Sequence, residues 1–170
     1  MGRPTVNKGD IWFVSNRTRL GRFINWGQRL TSFDNQSVYN HCGLFLDDRG
    51  TTLEALWHVT SNNFFERYKR KKVLIVSPMS SEETKFISTD FIRSEEFGKS
   101  YPVYGFLYMI APPLAKYIGD GSNLMCSELV AKYLYKIGIR PKYYKGTTPD
   151  RLVDEVRHWK DYNITFEGNI

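Results

Sequence analysis

Apolar and polar positions alternate along the chain in a way that marks out most of its elements. The turn Lys8-Gly9-Asp10 leads into four apolar residues, Ile11-Trp12-Phe13-Val14, which predict a short buried strand. Residues 18–30 carry Leu20, Phe23, Ile24 and Leu30 at mostly helical spacing and predict an amphipathic helix or helical loop; Thr31 to Ser37 reads as a turn. Val38 to Leu46 predicts a second strand, Asp47-Asp48-Arg49-Gly50 a hairpin loop, and Thr51 to Val59 the returning strand. A polar stretch, Thr60 to Lys72, precedes Val73-Leu74-Ile75-Val76, a buried strand closed by Pro78.

The second half is richer in helix. Ser80 to Gly98 has an acidic first turn and an apolar stripe of Phe86, Ile87, Phe91 and Ile92, with Gly98 as its stop. A helix from Asn123 to Ile137 follows, with Asn123 or Ser122 as cap and Gly138 as the left-handed residue beyond its end. Thr148 and Pro149 open a last helix as cap and first residue, and Asn163 to Phe166 reads as an edge strand. Tyr101 to Gly121, aromatic and broken by Pro112-Pro113, has no clear element. With no repeat and no linker, the expectation is one α+β domain over residues 1–170.

Composition narrows the class. At 170 residues with 41% hydrophobic and 15% aromatic positions, the chain can bury a core of its own. Two cysteines, Cys42 and Cys126, are too few for a disulfide framework. The N-terminal residues lack an apolar signal core, and the run Val103 to Ile118 is too short to span a bilayer. The expectation is a cytoplasmic protein without a transmembrane segment, unless another route exports it. A net charge of +6 is concentrated in Arg17, Arg19, Arg22 and Arg29 and in Arg67, Lys69, Arg70, Lys71 and Lys72. Such clusters suit an anionic surface; no nucleic-acid motif accompanies them.

The chemistry centres on Cys126. Cys126, Leu129, Val130, Tyr133 and Ile137 share the inward face of their helix, and the thiol sits in its first turn. Free amides and the helix dipole there favour the thiolate, the reactive form of cysteine. His41 lies mid-strand. With Leu46 opposite Thr51 across the hairpin, His41 falls opposite Leu56, so Glu54 and His58 share its sheet face as diagonal neighbours. An imidazole beside a carboxylate is what a cysteine nucleophile requires as base and orienting group. Strand parity leaves Glu54 and His58 equally placed; a carboxylate can stabilise an imidazolium, which favours Glu54. Zinc held by His41, Cys42, His58 and Cys126 is disfavoured, because adjacent strand residues point to opposite faces. No metal or cofactor is expected, and Cys42 reads as core.

Several of these pieces resemble, in order, the circularly permuted papain-like hydrolases of the NlpC superfamily, the YiiX-like branch related to lecithin:retinol acyltransferase. They are Gly9-Asp10-Ile11, His41-Cys42-Gly43-Leu44, Leu53-Glu54-Ala55, Gly98-Lys99-Ser100-Tyr101, Cys126-Ser127-Glu128-Leu129-Val130 and Pro149-Asp150-Arg151-Leu152. The resemblance covers roughly residues 8 to 155. It implies an antiparallel sheet packed against a helix that bears the nucleophile, with Cys126 attacking, His41 as base and Glu54 orienting it. Pro102-Val103 stands where the family usually has Asp, and the Asn-Cys-Glu-His motif of the acyltransferase branch is absent. The leading expectation is therefore an amide or peptide hydrolase working through an acyl-enzyme, with cell-wall peptides as the substrate class the family suggests. A lipid or thioester acyl hydrolase or acyltransferase, and a catalytically silent binding protein of this fold, stay open beside it.

Overall fold

Strand β1, Ile11–Val14, is wholly buried and lies at the middle of a six-stranded antiparallel sheet. The computed structural model describes residues 3–15, 38–55, 58–100, 125–140 and 147–170. The expected helix over 18–30, the turn over 31–37 and the segment 101–121 lie outside them. The other strands are β2 His41–Phe45, β3 Thr51–Ala55, β4 Val59–Asn63, β5 Lys72–Pro78 and β6 Tyr162–Asn169, arranged β4-β3-β2-β1-β5-β6. Four helices complete the described residues: α1 Phe64–Arg67, α2 Glu82–Glu96, α3 Cys126–Lys136 and α4 Pro149–His158. The fold is α+β, as expected.

The β2–β3 hairpin has the derived register. Leu46 N–H donates to Thr51 O at 2.7 Å, and Leu44 and Phe45 pair with Leu53 and Thr52. Asp47 Oδ1 accepts from the Arg49 and Thr51 amides, and Gly50 takes φ +92°, so the loop residues hold the turn themselves. The returning strand is shorter than expected. It ends at Ala55, and the chain reverses so that Ala55 pairs with Val59. What reads as a polar stretch from Thr60 onward is thus β4 followed by α1. β4 lies at the sheet edge, where partly exposed positions accept polar residues, so alternation gives no signal there.

Period-two alternation divides the sheet into two faces. Ile11, Phe13, Cys42, Leu44, Leu53, Ala55, Leu74 and Val76 join one core with α3 and α4. Trp12, Val14, Phe45, Val73 and Ile75 join a second core with Phe64 of α1 and with Tyr68. α2 departs from the sequence reading. Its helix is capped by Ser81, whose Oγ accepts the Thr84 amide at 3.1 Å, but Phe86, Ile87 and Phe91 are exposed. The buried positions are Lys85, Ser88, Thr89, Ile92 and Glu96. Polar ties decide this orientation: Lys85 Nζ reaches Ser77 Oγ at 3.3 Å, and Glu96 is bound by Lys132 of α3 and by Lys99.

Candidate active site

α3 begins at Cys126, with Met125 still extended at the N-cap; the helix starts later than the expected Asn123, and Ser122 and Asn123 lie outside the described residues. Cys126 is thus the first helical residue. Its amide has no acceptor within the helix, and the positive end of the helix dipole lies at its sulfur. Three neighbours fix this turn. Met125 N–H donates to Glu128 Oε2 at 3.0 Å. Ser127 Oγ donates to the carbonyl of Thr147, just ahead of α4. Tyr133 Oη donates to Gly9 O at 2.9 Å, tying the helix to the turn before β1. Gly9 has φ +86°, and a Cβ there would run into Tyr133, Lys85 and Thr89. The close approach requires glycine.

The structure brings Cys126, His41 and Glu54 together, by a route the parity argument did not foresee. His41 pairs with Val14, and its ring lies against Trp12 at 5.3 Å and Tyr68 at 6.2 Å, so His41 and Glu54 do share a face. That face carries the second core. α3 packs against the opposite face, over Cys42 and Leu44. His41 opens β2, so its ring stands at the strand's end, near enough to the first turn of α3 that His41 and Cys126 shift each other's titration.

Glu54 is fully buried, and its partners explain how a carboxylate can stay there. Its Oε2 receives His41 Nε2 at 2.8 Å and the Tyr68 hydroxyl. Its Oε1 receives Asn62 Nδ2 at 2.8 Å and faces Arg67 Nε at 3.5 Å. Burial would raise its pKa, but His41 first, then Tyr68 and Arg67, hold it below the ordinary carboxylate value. Tyr68, raised by burial and by the Glu54 charge, stays a hydroxyl donor. Sequence reasoning missed Asn62, Tyr68 and Arg67, because they follow from β4 and α1. Arg67, a member of the expected basic cluster, is exposed and also faces Glu54.

With Nε2 on Glu54, Nδ1 is the ring nitrogen left for the thiol. Burial pulls the His41 pKa down, yet the Cys126 charge and hydrogen bond, reinforced by Glu54, raise it to about 9. For Cys126 a hydrogen bond from Cys42 leads; burial opposes it, and the His41 charge adds to it, leaving the thiol well below its usual range. Cys42 is pushed well up by burial and then by its charged neighbour. The shifts run one way, toward charge on both Cys126 and His41, with the buried carboxylate of Glu54 behind the ring. Cys42 is core, as expected. His58, the other expected partner of His41, is exposed, and its backbone forms an isolated antiparallel bridge with Ser100, beyond α2.

Gly43 has a local reason to stand between these residues. A Cβ there would lie 2.5 Å from Leu53 O and 2.5 Å from the Trp12 ring, which crosses β2 beside His41. Gly43→Ala should therefore destabilise the fold by about 1–3 kcal/mol, the usual cost of overpacking. Denaturant unfolding of the variant checks this.

No protein-family model matches the chain, and no curated protein is significantly similar to it. Among solved structures it resembles the crystal structure of the metalloprotein yiiX from Escherichia coli O157:H7. The TM-score is 0.65 at 14% identity, over 98% of this chain and 99% of that one. The fold is YiiX-like. Among the described residues, no three His, Cys, Asp or Glu side chains gather as ligands for a metal ion. No helix among the described residues is long and apolar enough to cross a membrane.

Proposed function

We propose that the chain is a thiol hydrolase of amide or peptide bonds, built on a circularly permuted papain-like fold of the NlpC type. The observation that carries this reading is His41, bonded at Nε2 to a fully buried carboxylate and facing the Cys126 sulfur at the start of a helix. The thiolate attacks the substrate carbonyl, and the backbone amide of Cys126 donates to the oxyanion as it forms. His41 gives its proton to the leaving amine. Neutral His41 then takes a proton from water, which attacks the acyl-enzyme and releases the acid. Glu54 holds the ring and stabilises the imidazolium. Peptides of the cell-wall kind are the substrate class that the resemblance to NlpC-type hydrolases suggests.

The test begins without a substrate. Timed iodoacetamide labelling with peptide mapping should modify Cys126 and spare Cys42. The Cys126 rate should stay nearly flat through neutrality, whereas an ordinary thiol speeds up about tenfold per pH unit below its pKa of about 8.5. Equal or faster labelling of Cys42, or an ordinary pH profile at Cys126, would defeat the assignment. Screening of peptide, ester and thioester compounds then decides the acyl bond.

A further inference from the structure

The outward face of α2 takes no part in the proposed chemistry. It carries Phe86, Ile87 and Phe91, and Phe86 and Ile87 are 55% and 59% exposed. The polar ties of Lys85 and Glu96 fix the helix in this orientation, so these side chains are held in water. Clustered apolar side chains kept in solvent mark an interaction surface. The ammonium groups of Lys8 and Lys136 lie over the Phe86 and Phe91 rings, at 3.4 and 3.8 Å from their centres, and hold both rings in place. Rings held this way lose little freedom when a partner covers them.

Charge decides which partner fits. The helix is acidic in its first turn, with Glu82 and Glu83, and basic in its last, with Arg93. Glu83 and Arg93 are exposed, and neither has an ion-pair partner among the described residues. Asp90, near the middle of the face, is neutralised by Lys8 at 2.7 Å. A strip with opposite charges at its two ends complements itself when turned end for end. We propose that α2 is the interface of a homodimer, in which the helices of two copies pair antiparallel about a twofold axis level with residues 88 and 89. Phe86 then stands level with Phe91 of the partner subunit. Glu83 stands within one residue's rise, about 1.5 Å along the axis, of Arg93 of the partner subunit. The twofold makes each of these pairs twice. It also sets each helix N-terminus beside the other's C-terminus, which suits their dipoles. An anionic membrane fits this face worse, because the exposed carboxylates of Glu82 and Glu83 meet like charge there. The inference is independent of the hydrolase reading.

Sedimentation velocity of the wild-type protein should show a monomer–dimer equilibrium with a dissociation constant of about 1–100 µM, the weak end for specific protein pairs. The double variant Phe86→Asp/Ile87→Asp should sediment as a monomer throughout. Its unfolding midpoint should stay near that of the wild type, because both side chains face solvent. Glu83→Arg and Arg93→Glu should each weaken the dimer about tenfold, since each sets like charges opposite one another twice. Both substitutions in one chain should restore it. Wild-type protein still monomeric at about 1 mM, a concentration that populates any dimer of this affinity, overturns the proposal. So does a dimer that survives Phe86→Asp/Ile87→Asp, or one that the double charge reversal fails to restore. Recruitment of monomeric wild-type protein to phosphatidylcholine–phosphatidylserine vesicles, lost in Phe86→Asp/Ile87→Asp, overturns it too and assigns the face to lipid.

Discussion

A His41→Gln variant should lose amide turnover by about a thousandfold, the usual scale of a removed general acid–base group. Its Cys126 should still alkylate, but on a changed pH profile. A hydrogen bond from Cys42 leads in holding the Cys126 pKa below the usual thiol range and the charge of His41 adds to it, while Cys126 and Glu54 raise His41 to about 9. Without the ring, the labelling rate should depend more steeply on pH. The two readouts separate the two roles of the residue: loss of turnover reports proton transfer, and the altered profile reports thiolate stabilisation. A variant that loses turnover but keeps the flat profile would leave Cys126 stabilised by the helix terminus and Cys42, with His41 acting only as acid.

The same ion pair shapes fold stability. The raised His41 pKa contributes stability that is complete below its unfolded value, about 6.5, and is lost as pH rises through about 9. The lowered Cys126 pKa contributes stability that is complete above its unfolded value, about 8.5, and is lost as pH falls through its folded one. Between these unfolded values one contribution grows as the other shrinks, so the pair is neutral toward pH there. In acid, Glu54 and Cys126 both take up protons on the same side. Acid is therefore where the site loosens.

How much of this was legible in the chain differs by residue. Ile11–Val14 is apolar at every position, and the Asp47–Gly50 loop carries its own turn chemistry, so β1 and the β2–β3 register followed directly. Register then put Glu54 on the face of His41, and the 2.8 Å bond between them rests on it. β4 was hidden because an edge strand such as Val59–Asn63 need not alternate, and with it went Asn62, Arg67 and Tyr68. The α2 stripe misled for a different reason. Burial of Lys85, Thr89 and Glu96 is set by partners on β5, α3 and the chain beyond α2, which periodicity within the helix cannot reveal. Which sheet face α3 covers was not legible either. Strand parity puts Cys42 there, and only the position of His41 at the end of β2 lets its ring meet the sulfur.

Whether Glu54 orients His41 can be separated from whether it merely fills its site. Glu54→Gln should cut turnover by about three to four orders of magnitude, because a neutral amide cannot stabilise the imidazolium and can present the wrong group to Nε2. It should also cost stability of about 3–5 kcal/mol, since Arg67 and His41 lose a buried counter-charge. His58→Gln should leave turnover within about twofold, as expected of an exposed side chain clear of the site. Tyr68→Phe provides the discriminating case. It removes one donor to Glu54 Oε2 but leaves the carboxylate charge, the Asn62 bond and the His41 bond in place. If charge is what matters, Tyr68→Phe keeps most of the turnover, and its alkylation profile stays flat. If tight positioning matters as much, turnover falls while that profile is unchanged. An Glu54→Gln protein that turns over normally would remove Glu54 from the mechanism, and a more damaging His58→Gln would move the third role to His58, against the hydrogen bonding seen at Nε2.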